Sequence, residues 1–395
     1  MQILFVSMEY PPETGGGGIG SYLVSVAPAL AAQGHTVHVI SCAGGQAARD
    51  YESDGVTIHR RGLLEVRGLG RLRAPHTVGR IRAGLSTFRA FRELKSSLDV
   101  IEYPDWAAEG WLFGLLRPTP LVAQLHTPLA LIQRYNAFPA TLDVRMASFL
   151  ERLSVHRADL VSAPSQLLVS ALRAIGWLRN RQVELVPYAI DWMQWADLPD
   201  AGRAQPTVLC LGRLEPRKAP ELLADAIGLL RAELPGARAL FVGRCTGTHG
   251  GIPYATWIRA LAANPASGCE HVDQVPRDEL RAIFGRVRAV AVPSRFDNYA
   301  VVVLEAMAAG RPVVVSDATG SAAFVRESGG GAVVPAGDAT ALAHALRPFL
   351  KDPDYARAVG QMGQAAVRTH LDPARIAHAR ADLFQRAFTL RRGRA

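Results

Sequence analysis

The feature that most constrains the fold is a regular alternation of short β-branched segments with longer helical ones. The first series contains ILFVS, HTVHVIS, DVIEY, LVAQL and DLVSA, separated by helical stretches such as SYLVSVAPALAAQ. The pattern restarts with TVLCLG and continues through ARALFVG, VRAVAVPS and RPVVVS. Such alternation is typical of parallel sheets that are covered by helices on both faces. We therefore predict an α/β protein with two Rossmann-like domains.

The domain boundaries follow from a change in composition between the two series. Residues 190–206, IDWMQWADLPDAGRAQP, are rich in Pro, Asp and Gly and predict a linker. It would separate an N-terminal domain over 1–189 from a C-terminal domain over 207–370. Residues 371–395 predict a further helix, which we expect to pack back on the N-terminal domain. Two domains are also what a chain of 395 residues favours.

Composition excludes several classes of protein. The chain is 49% apolar and 20% charged, as ordinary globular proteins are, and no apolar run is long enough to span a membrane. Its start lacks the basic region and cleavage site of a signal peptide. The 4 cysteines are scattered without a CxxC pair, which favours a cytoplasmic protein without a zinc site.

The cations are almost all arginine. Of 44 basic residues only Lys95, Lys218 and Lys351 are lysine, and the net charge is +9. We attribute this bias to genome composition rather than to nucleic-acid binding, because no nucleic-acid-binding motif is present. A lysine beside a recognisable motif is therefore notable.

The first candidate site is a glycine-rich loop after the first strand. Gly15, Gly17 and Gly20 fit G-x-G-x-x-G before a helix, but no acid closes the second strand as in a dinucleotide site. Glycines here would let a phosphate or sugar approach backbone amides at the helix start. A flexible surface loop is the alternative.

The second candidate site is GRLEPRK, which follows the strand TVLCLG. Arg213 and Lys218 flank a turn between that strand and a helix, so both side chains can converge on one anion. Two cations at a helix start are unfavourable on their own, because the helix dipole is already positive there. A bound diphosphate would explain them.

The third candidate site is SRFDNYAVVVLEAMAAGRPVVV, residues 294–315. Asp297 follows a strand, and we expect a helix over YAVVVLEAMAAG whose first amides, from Tyr299, Ala300 and Val301, bind an anion. Glu305 lies in an apolar run, where an ionised carboxylate costs several kcal/mol unless it is hydrogen-bonded. It faces either water or a ligand such as a ribose diol.

Together these motifs resemble the retaining glycosyltransferases of family 4, group 1. The resemblance covers nearly the whole chain and rests on motifs in a fixed order: YPPETGGGGIG, GH at 34 and 35, LHTP near 126, GRLEPRK, LEAMAAGRPVV and GDATALAHAL. It implies the GT-B fold, with two Rossmann-like domains whose parallel sheets face each other across a cleft. The N-terminal domain would bind the acceptor and the C-terminal domain the nucleotide sugar.

The resemblance also implies roles for residues. Asp297 would contact the hydroxyls of the donor sugar, and Glu305 would hold the nucleotide ribose. Arg213 and Lys218 would neutralise the diphosphate. His126 would contact the transferred sugar, although a lone histidine at a strand end is more often structural.

Further positions match the family or depart from it. Gly17 and Gly18 match its paired glycines. Asp297 is one methylene shorter than the usual Glu, Ala300 stands where Gly is common, and Ala323 replaces an expected acid.

The implied reaction is retaining transfer of a hexose-type sugar from a UDP- or GDP-sugar, without metal or other cofactor. The acceptor would be a hydroxyl of a glycan, a lipid-linked molecule or a small molecule. Two alternatives stay open: a GT-B sugar-nucleotide epimerase or hydrolase, and a non-catalytic sugar-nucleotide-binding protein.

Two segments bear on the acceptor. Glu102, Asp105 and Trp106 follow a strand and are predicted to bind it, and core packing is the alternative for Trp106. Residues 59–92 hold nine arginines against one acid, with Phe88 and Phe91 among them. This segment predicts either contact with an anionic membrane at its inner face or a solvated arginine-rich surface.

Overall fold

The computed structural model describes residues 1–12, 14, 17–68, 72–94 and 96–393. Gly15 and Lys95 therefore lie outside the described residues. The chain forms two compact units. Unit 1 comprises Met1–Arg134, Phe138–Ala189 and Pro373–Ala395, and unit 2 comprises Tyr135–Ala137 and Ile190–Asp372.

Unit 1 is built on an eight-stranded sheet. Its strands are β1 (Gln2–Val6), β2 (Thr36–Ala43), β3 (Arg49–Ser53), β4 (Val56–Gly62), β5 (Val100–Pro104), β6 (Leu121–Gln124), β7 (Leu160–Ala163) and β8 (Glu184–Leu185). The order across the sheet is β3-β4-β2-β1-β5-β6-β7-β8, and only the β3–β4 pair is antiparallel. Strand β1 is apolar on both faces because helices cover both sides of the sheet. The strand order reverses between β1 and β5, where α/β sheets bind ligands.

The described residues form seven helices around this sheet. They are α1 (Gly18–Ala32), α2 (Pro75–Glu93), α3 (Trp111–Leu116), α4 (Leu129–Asn136), α5 (Leu142–Arg157), α6 (Gln166–Ala174) and the C-terminal α14 (Pro373–Arg392). Helix α14 packs in unit 1, where Phe384 meets Phe5 edge to face at 5.9 Å. Gln33 donates a hydrogen bond of 2.7 Å to the carbonyl of Ala374.

Unit 2 has a six-stranded, fully parallel sheet. Its strands are β9 (Gln205–Leu211), β10 (Arg238–Val242), β13 (Cys269–Val272), β14 (Val287–Val292), β15 (Val313–Ser316) and β16 (Gly331–Val334). The order β13-β10-β9-β14-β15-β16 is that of a Rossmann sheet, with the reversal between β9 and β14. A separate antiparallel pair, β11 (Thr248–His249) and β12 (Ile252–Pro253), lies outside this sheet.

The helices of unit 2 follow its strands in alternation. They are α7 (Pro220–Arg231), α8 (Tyr254–Ala263), α9 (Leu280–Arg286), α10 (Val301–Ala308), α11 (Ala322–Ser328), α12 (Ala339–Lys351) and α13 (Pro353–His370). Asp338 caps α12 by accepting a hydrogen bond of 2.8 Å from the amide of Ala341. None of the helices that the described residues form is long and apolar enough to cross a bilayer.

The segment 190–206, predicted as a linker, is packed within unit 2. Two short 3₁₀ turns, Trp192–Trp195 and Ala201–Arg203, lead into β9. Trp195 is buried and meets Phe284 edge to face at 5.1 Å. The Pro-, Asp- and Gly-rich composition therefore marks turns around a buried anchor.

The aromatic side chains of the arginine-rich segment pack inside unit 1. Phe88 and Phe91 on α2 lie 5.4 and 5.3 Å from Phe113, both edge to face. Arg80 forms a buried ion pair with Glu151 at 2.7 Å. These contacts favour the alternative of a solvated arginine-rich surface, and contact of this segment with a membrane stays a prediction.

Candidate active site

Three loops meet at the carboxyl end of the unit 2 sheet, where its strand order reverses. They follow β9, β14 and β15, and backbone hydrogen bonds tie them together. The amide of Arg295 donates to the carbonyl of Arg217 at 2.8 Å. The amide of Asp297 donates to the carbonyl of Ala318 at 3.0 Å, and the carbonyl of Asp297 accepts from Gly320 at 2.8 Å. The backbone of Asp297 is therefore fixed on both sides.

A chain of alternating charges runs through these loops, and we call it the phosphate cluster. Lys218 donates a hydrogen bond to Oδ2 of Asp297, and Nη1 of Arg217 lies 4.0 Å from the same oxygen. Arg217 also pairs with Glu215 at 2.7 Å, and Arg213 approaches Glu215 at 3.5 Å. Three cations against two carboxylates leave an excess of one positive charge.

The cluster buries both acids and one cation, and its other two cations are partly exposed. Glu215, Arg217 and Asp297 are buried, whereas the side chains of Lys218 and Arg213 are 21% and 54% exposed. An ammonium group has three N–H donors, so Lys218 can bind an oxyanion while it contacts Asp297. The cluster therefore presents positive charge outward from a fixed base.

The pKa directions agree with this arrangement. Burial alone would raise the pKa of Asp297, but the charges of Lys218 and Arg217 outweigh it and lower the pKa below its usual value. Burial also lowers the pKa of Lys218, and the carboxylate of Asp297 opposes that change. Asp297 is therefore an ionised acceptor at neutral pH.

Helix α10 begins later than the sequence predicts. It starts at Val301 rather than Tyr299, with Ala300 at the N-cap position and no side-chain cap. The amide of Tyr299 donates to the side-chain oxygen of Asn298 at 2.7 Å, so it is not an open anion donor in this conformation. The amides of Ala300 and Val301 stand at the helix start, where first-turn amides have no intrahelical acceptor.

Glu305 faces a cation rather than bulk water. It lies on the second turn of α10 and is buried, and Nη1 of Arg277 approaches its Oε1 at 3.3 Å. Burial raises the pKa of Glu305, and the positive charge of Arg277 opposes that rise. Arg277, from the loop after β13, also lies over the ring of Trp195 at 5.8 Å.

In unit 1, His126 follows β6 and is buried. Its Nδ1 lies 2.5 Å from the hydroxyl of Tyr188, and its amide donates to Oδ1 of Asp105 at 2.8 Å. Burial and the charge of Arg380 lower the pKa of His126 to about 3. The imidazole is therefore neutral at physiological pH and acts as a hydrogen-bonding group.

Glu102 belongs to a buried network with the C-terminal helix. Tyr22 donates to its Oε1 at 2.8 Å, and Nη1 of Arg380 lies 3.2 Å from its Oε2. Arg380 also donates to the hydroxyl of Ser162 at 2.8 Å and to the side-chain oxygen of Gln124. These contacts give Glu102 a structural role, and its contact with an acceptor stays a prediction.

Asp105 and Trp106 are also held from inside unit 1. Burial raises the pKa of Asp105 to about 8, and its contact with the His126 amide fixes the strand end that carries the imidazole. Trp106 packs beside a small apolar cluster that includes Leu129, and Arg80 lies over its ring at 5.1 Å. Their acceptor contacts likewise remain predictions.

The glycine loop brings an acid to the start of α1. Gly17 is the N-cap residue and Gly18 the first helical residue. A Cβ at Gly17 would lie 2.5 Å from Oε2 of Glu9, and the amide of Gly20 donates weakly to that oxygen at 3.4 Å. The carboxylate of Glu9 thus occupies the position where a phosphate or sugar was expected.

Two family descriptions match the chain in succession. The "Glycosyl transferase 4-like domain" matches residues 17–189, and "Glycosyl transferases group 1" matches residues 205–352. Together they span most of the chain.

The chain belongs to the glycosyltransferases of family 4, group 1.

Curated relatives agree with this membership over almost their full length. The glycosyltransferase is 28% identical to a glycogen synthase of Mycobacterium tuberculosis, with 97% of this chain and 94% of the relative covered. It is 28% identical to a D-inositol 3-phosphate glycosyltransferase of Corynebacterium glutamicum, with 93% of each covered.

Solved structures show that the glycosyltransferase has the GT-B fold. Sucrose-phosphate synthase from Thermosynechococcus elongatus superposes with a TM-score of 0.78 at 23% identity, covering 98% of this chain and 100% of that one. Anabaena HepE, in a complex with UDP-glucose, gives 0.68 at 18% identity and covers 98% and 99%.

The geometry adds residues of this glycosyltransferase that sequence reasoning missed. In unit 2 they are Glu215, Arg217 and Arg277, and in unit 1 they are Glu9, Tyr188 and Arg380. Arg217 could have been noticed because it precedes Lys218 directly. Arg277 and Arg380 carry no local signal in a chain so rich in arginine.

Proposed function

We propose that this glycosyltransferase moves a hexose-type sugar from a UDP- or GDP-sugar to an acceptor hydroxyl, with retention at the anomeric carbon. The observation that carries the proposal is the phosphate cluster, with its excess positive charge, its partly exposed Lys218 and its exposed Arg213. A nucleoside diphosphate is the anion that such a cluster suits, because its two phosphates can engage Lys218 and Arg213 together.

Unit 2 is proposed to bind the donor. Lys218 and Arg213 would take the diphosphate, helped by the amides of Ala300 and Val301 at the start of α10. Glu305 would accept hydrogen bonds from the ribose diol. Support comes from HepE, which has the same fold and whose structure contains UDP-glucose.

Departure of the diphosphate is the step that the cluster would assist. Negative charge grows on the leaving phosphate as the bond to the sugar breaks, and fixed cations stabilise it without reorganising. Removing one preorganised donor of this kind costs about 3 kcal/mol, or roughly a hundredfold in rate. We propose that these side chains make a metal ion unnecessary, so that transfer persists in a chelator.

Unit 1 is proposed to bind the acceptor near His126. The neutral imidazole, positioned by Tyr188 and Asp105, would hydrogen-bond the transferred sugar. A hydroxyl of a glycan, a lipid-linked molecule or a small molecule is the proposed acceptor. The names of the two relatives, a glycogen synthase and an inositol phosphate glycosyltransferase, support a glycan and a small molecule respectively.

A panel of nucleoside diphosphates and their sugars tests the proposal by thermal shift, followed by transfer assays with the stabilising donor. We expect one donor class to raise the melting temperature by mass action. Incubation with donor alone separates the alternatives. Fast epimerisation or hydrolysis would favour a donor-modifying enzyme, and binding without turnover on any acceptor would favour a non-catalytic protein.

A further inference from the structure

Helix α5 of unit 1 exposes an apolar stripe. Leu142, Met146 and Phe149 are 76%, 47% and 56% exposed. Their spacing of four and three residues places them on one face of the helix. The opposite face is buried, where Val144 and Ala147 pack with Leu129. The exposed stripe is therefore not needed for packing within the unit.

Cations accompany this stripe. Arg145 is exposed and lies on the same face, three residues after Leu142. Leu72, 56% exposed, and the exposed Arg73 precede α2, whose first amides bind Asp143 at the start of α5. Within the described part of the chain, neither Arg145 nor Arg73 forms an ion pair. We call Leu142, Arg145, Met146 and Phe149 the α5 outer face; Leu72 and Arg73 precede the amides that bind the start of the same helix.

The acidic residues of α5 form their contacts within unit 1. Asp143 accepts hydrogen bonds from the amides of His76 and Thr77 at 2.9 and 2.7 Å. Glu151 pairs with Arg80 at 2.7 Å and accepts from the amide of Leu129 at 2.8 Å. The sequence of α5 contains no other acid, so its outer face combines apolar side chains with uncompensated positive charge.

We propose that the α5 outer face docks on an anionic lipid bilayer. Apolar side chains that enter the headgroup region, with flanking arginines on anionic headgroups, are the combination that holds peripheral proteins on membranes. A second copy of this chain is a poorer partner, because a two-fold contact pairs this face with itself and the acids of α5 are already engaged within the unit. This proposal does not depend on the donor site.

Vesicle co-sedimentation of the full chain tests it. We expect binding to vesicles of phosphatidylcholine with phosphatidylglycerol, weak binding to phosphatidylcholine alone, and release by salt. Phe149→Glu should reduce binding by at least roughly tenfold, and Arg145→Ala by roughly fivefold. Leu229→Glu is the matched control, because Leu229 is 51% exposed on α7 of unit 2, and it should bind as the wild type does.

The contrary outcomes are distinct. Equal binding of wild type and Phe149→Glu, or no binding to anionic vesicles, would overturn the proposal. Binding to neutral vesicles as strong as binding to anionic ones would show that the arginines do not contribute, and would contradict docking on an anionic bilayer. Concentration-dependent dimers in light scattering that Phe149→Glu abolishes would instead make this face an interface between copies. Circular dichroism of each variant checks the fold, and none of these readouts requires transferase activity.

Discussion

At the scale of single residues, the candidate site depends on acids that are buried beside cations. Asp297 and Glu305 would each be costly to bury alone, and each has a cationic neighbour. The sequence predicted that Glu305 faces either water or a ligand, because the residues around it are apolar. It could not name Arg277, which lies on another loop and is one of many arginines.

Replacing Arg277 with alanine should extend the acidic loss of donor binding to higher pH. Burial raises the pKa of Glu305 and Arg277 opposes that rise, so the variant should protonate Glu305 at higher pH than the wild type does. A protonated carboxyl accepts hydrogen bonds from a ribose diol less well. Titration of the nucleoside diphosphate sugar across pH should show the acidic loss of affinity moved to higher pH.

Arg347→Ala is the matched control for Arg277→Ala, since Arg347 lies on the surface of α12 and pairs with Glu233. Its binding profile should follow that of the wild type. If the binding profile of Arg277→Ala also coincides with that of the wild type, Arg277 does not contribute to donor binding.

Asp105 should make unit 1 less stable as pH rises. Burial raises its pKa to about 8, so between its ordinary value and about 8 the folded chain holds a proton that the unfolded chain releases. The free energy of unfolding then falls with increasing pH, by at most about 1.4 kcal/mol per pH unit for one proton. Asp105→Asn should flatten this dependence, measured by urea unfolding at several pH values.

Glu109, whose pKa burial also raises to about 8, should keep its own share of the slope in that variant. Asp54→Asn in an exposed turn serves as the control and should leave the slope unchanged. A slope in Asp105→Asn equal to that of the wild type would show that Asp105 is ionised in the folded chain.

At the scale of elements, periodicity predicted the strands and helices better than their ends. The predicted start of α10 was two residues too early, because the side-chain oxygen of Asn298 accepts a hydrogen bond from the amide of Tyr299. Residues 190–206 begin where unit 2 begins, but their packing could not be predicted. Turn-forming residues indicate a loop and do not tell whether a side chain such as Trp195 is inserted into the core.

Helix α14 should be tied to unit 1 chiefly through Arg380. It pairs with Glu102 and hydrogen-bonds residues on β6 and β7, in a fully buried network. Arg380→Met should lower the free energy of unfolding by about 3–5 kcal/mol, because it leaves the Glu102 carboxylate buried without its cation. Chemical unfolding measures the loss.

The double variant Arg380→Met/Glu102→Gln should recover part of that loss, since it removes the uncompensated charge as well. Additive effects of the two substitutions would contradict the coupling between Arg380 and Glu102. An Arg380→Met variant as stable as the wild type would show that this network does not stabilise the folded chain.

At the scale of the whole molecule, the order of motifs along the chain predicted the family and the GT-B fold, and both are confirmed. The Rossmann strand order places residues far apart in sequence at one edge of a sheet. The proximity of Lys218 and Asp297, which are 79 residues apart, could therefore be predicted from the sheet topology. The contact between Glu102 and Arg380, which are 278 residues apart, could not be predicted in this way. The alternation of strands and helices does not determine how the C-terminal helix α14 packs.

The central claim is that the phosphate cluster binds the diphosphate of a sugar nucleotide, and the affinity of Lys218→Ala for the nucleoside diphosphate tests it most directly. Charge-assisted hydrogen bonds contribute about 1.5–3 kcal/mol, so calorimetry should show binding weakened roughly ten- to a hundredfold. Lys351→Ala, at the exposed end of α12, should bind as the wild type does. An unchanged dissociation constant in a folded Lys218→Ala variant would contradict the account.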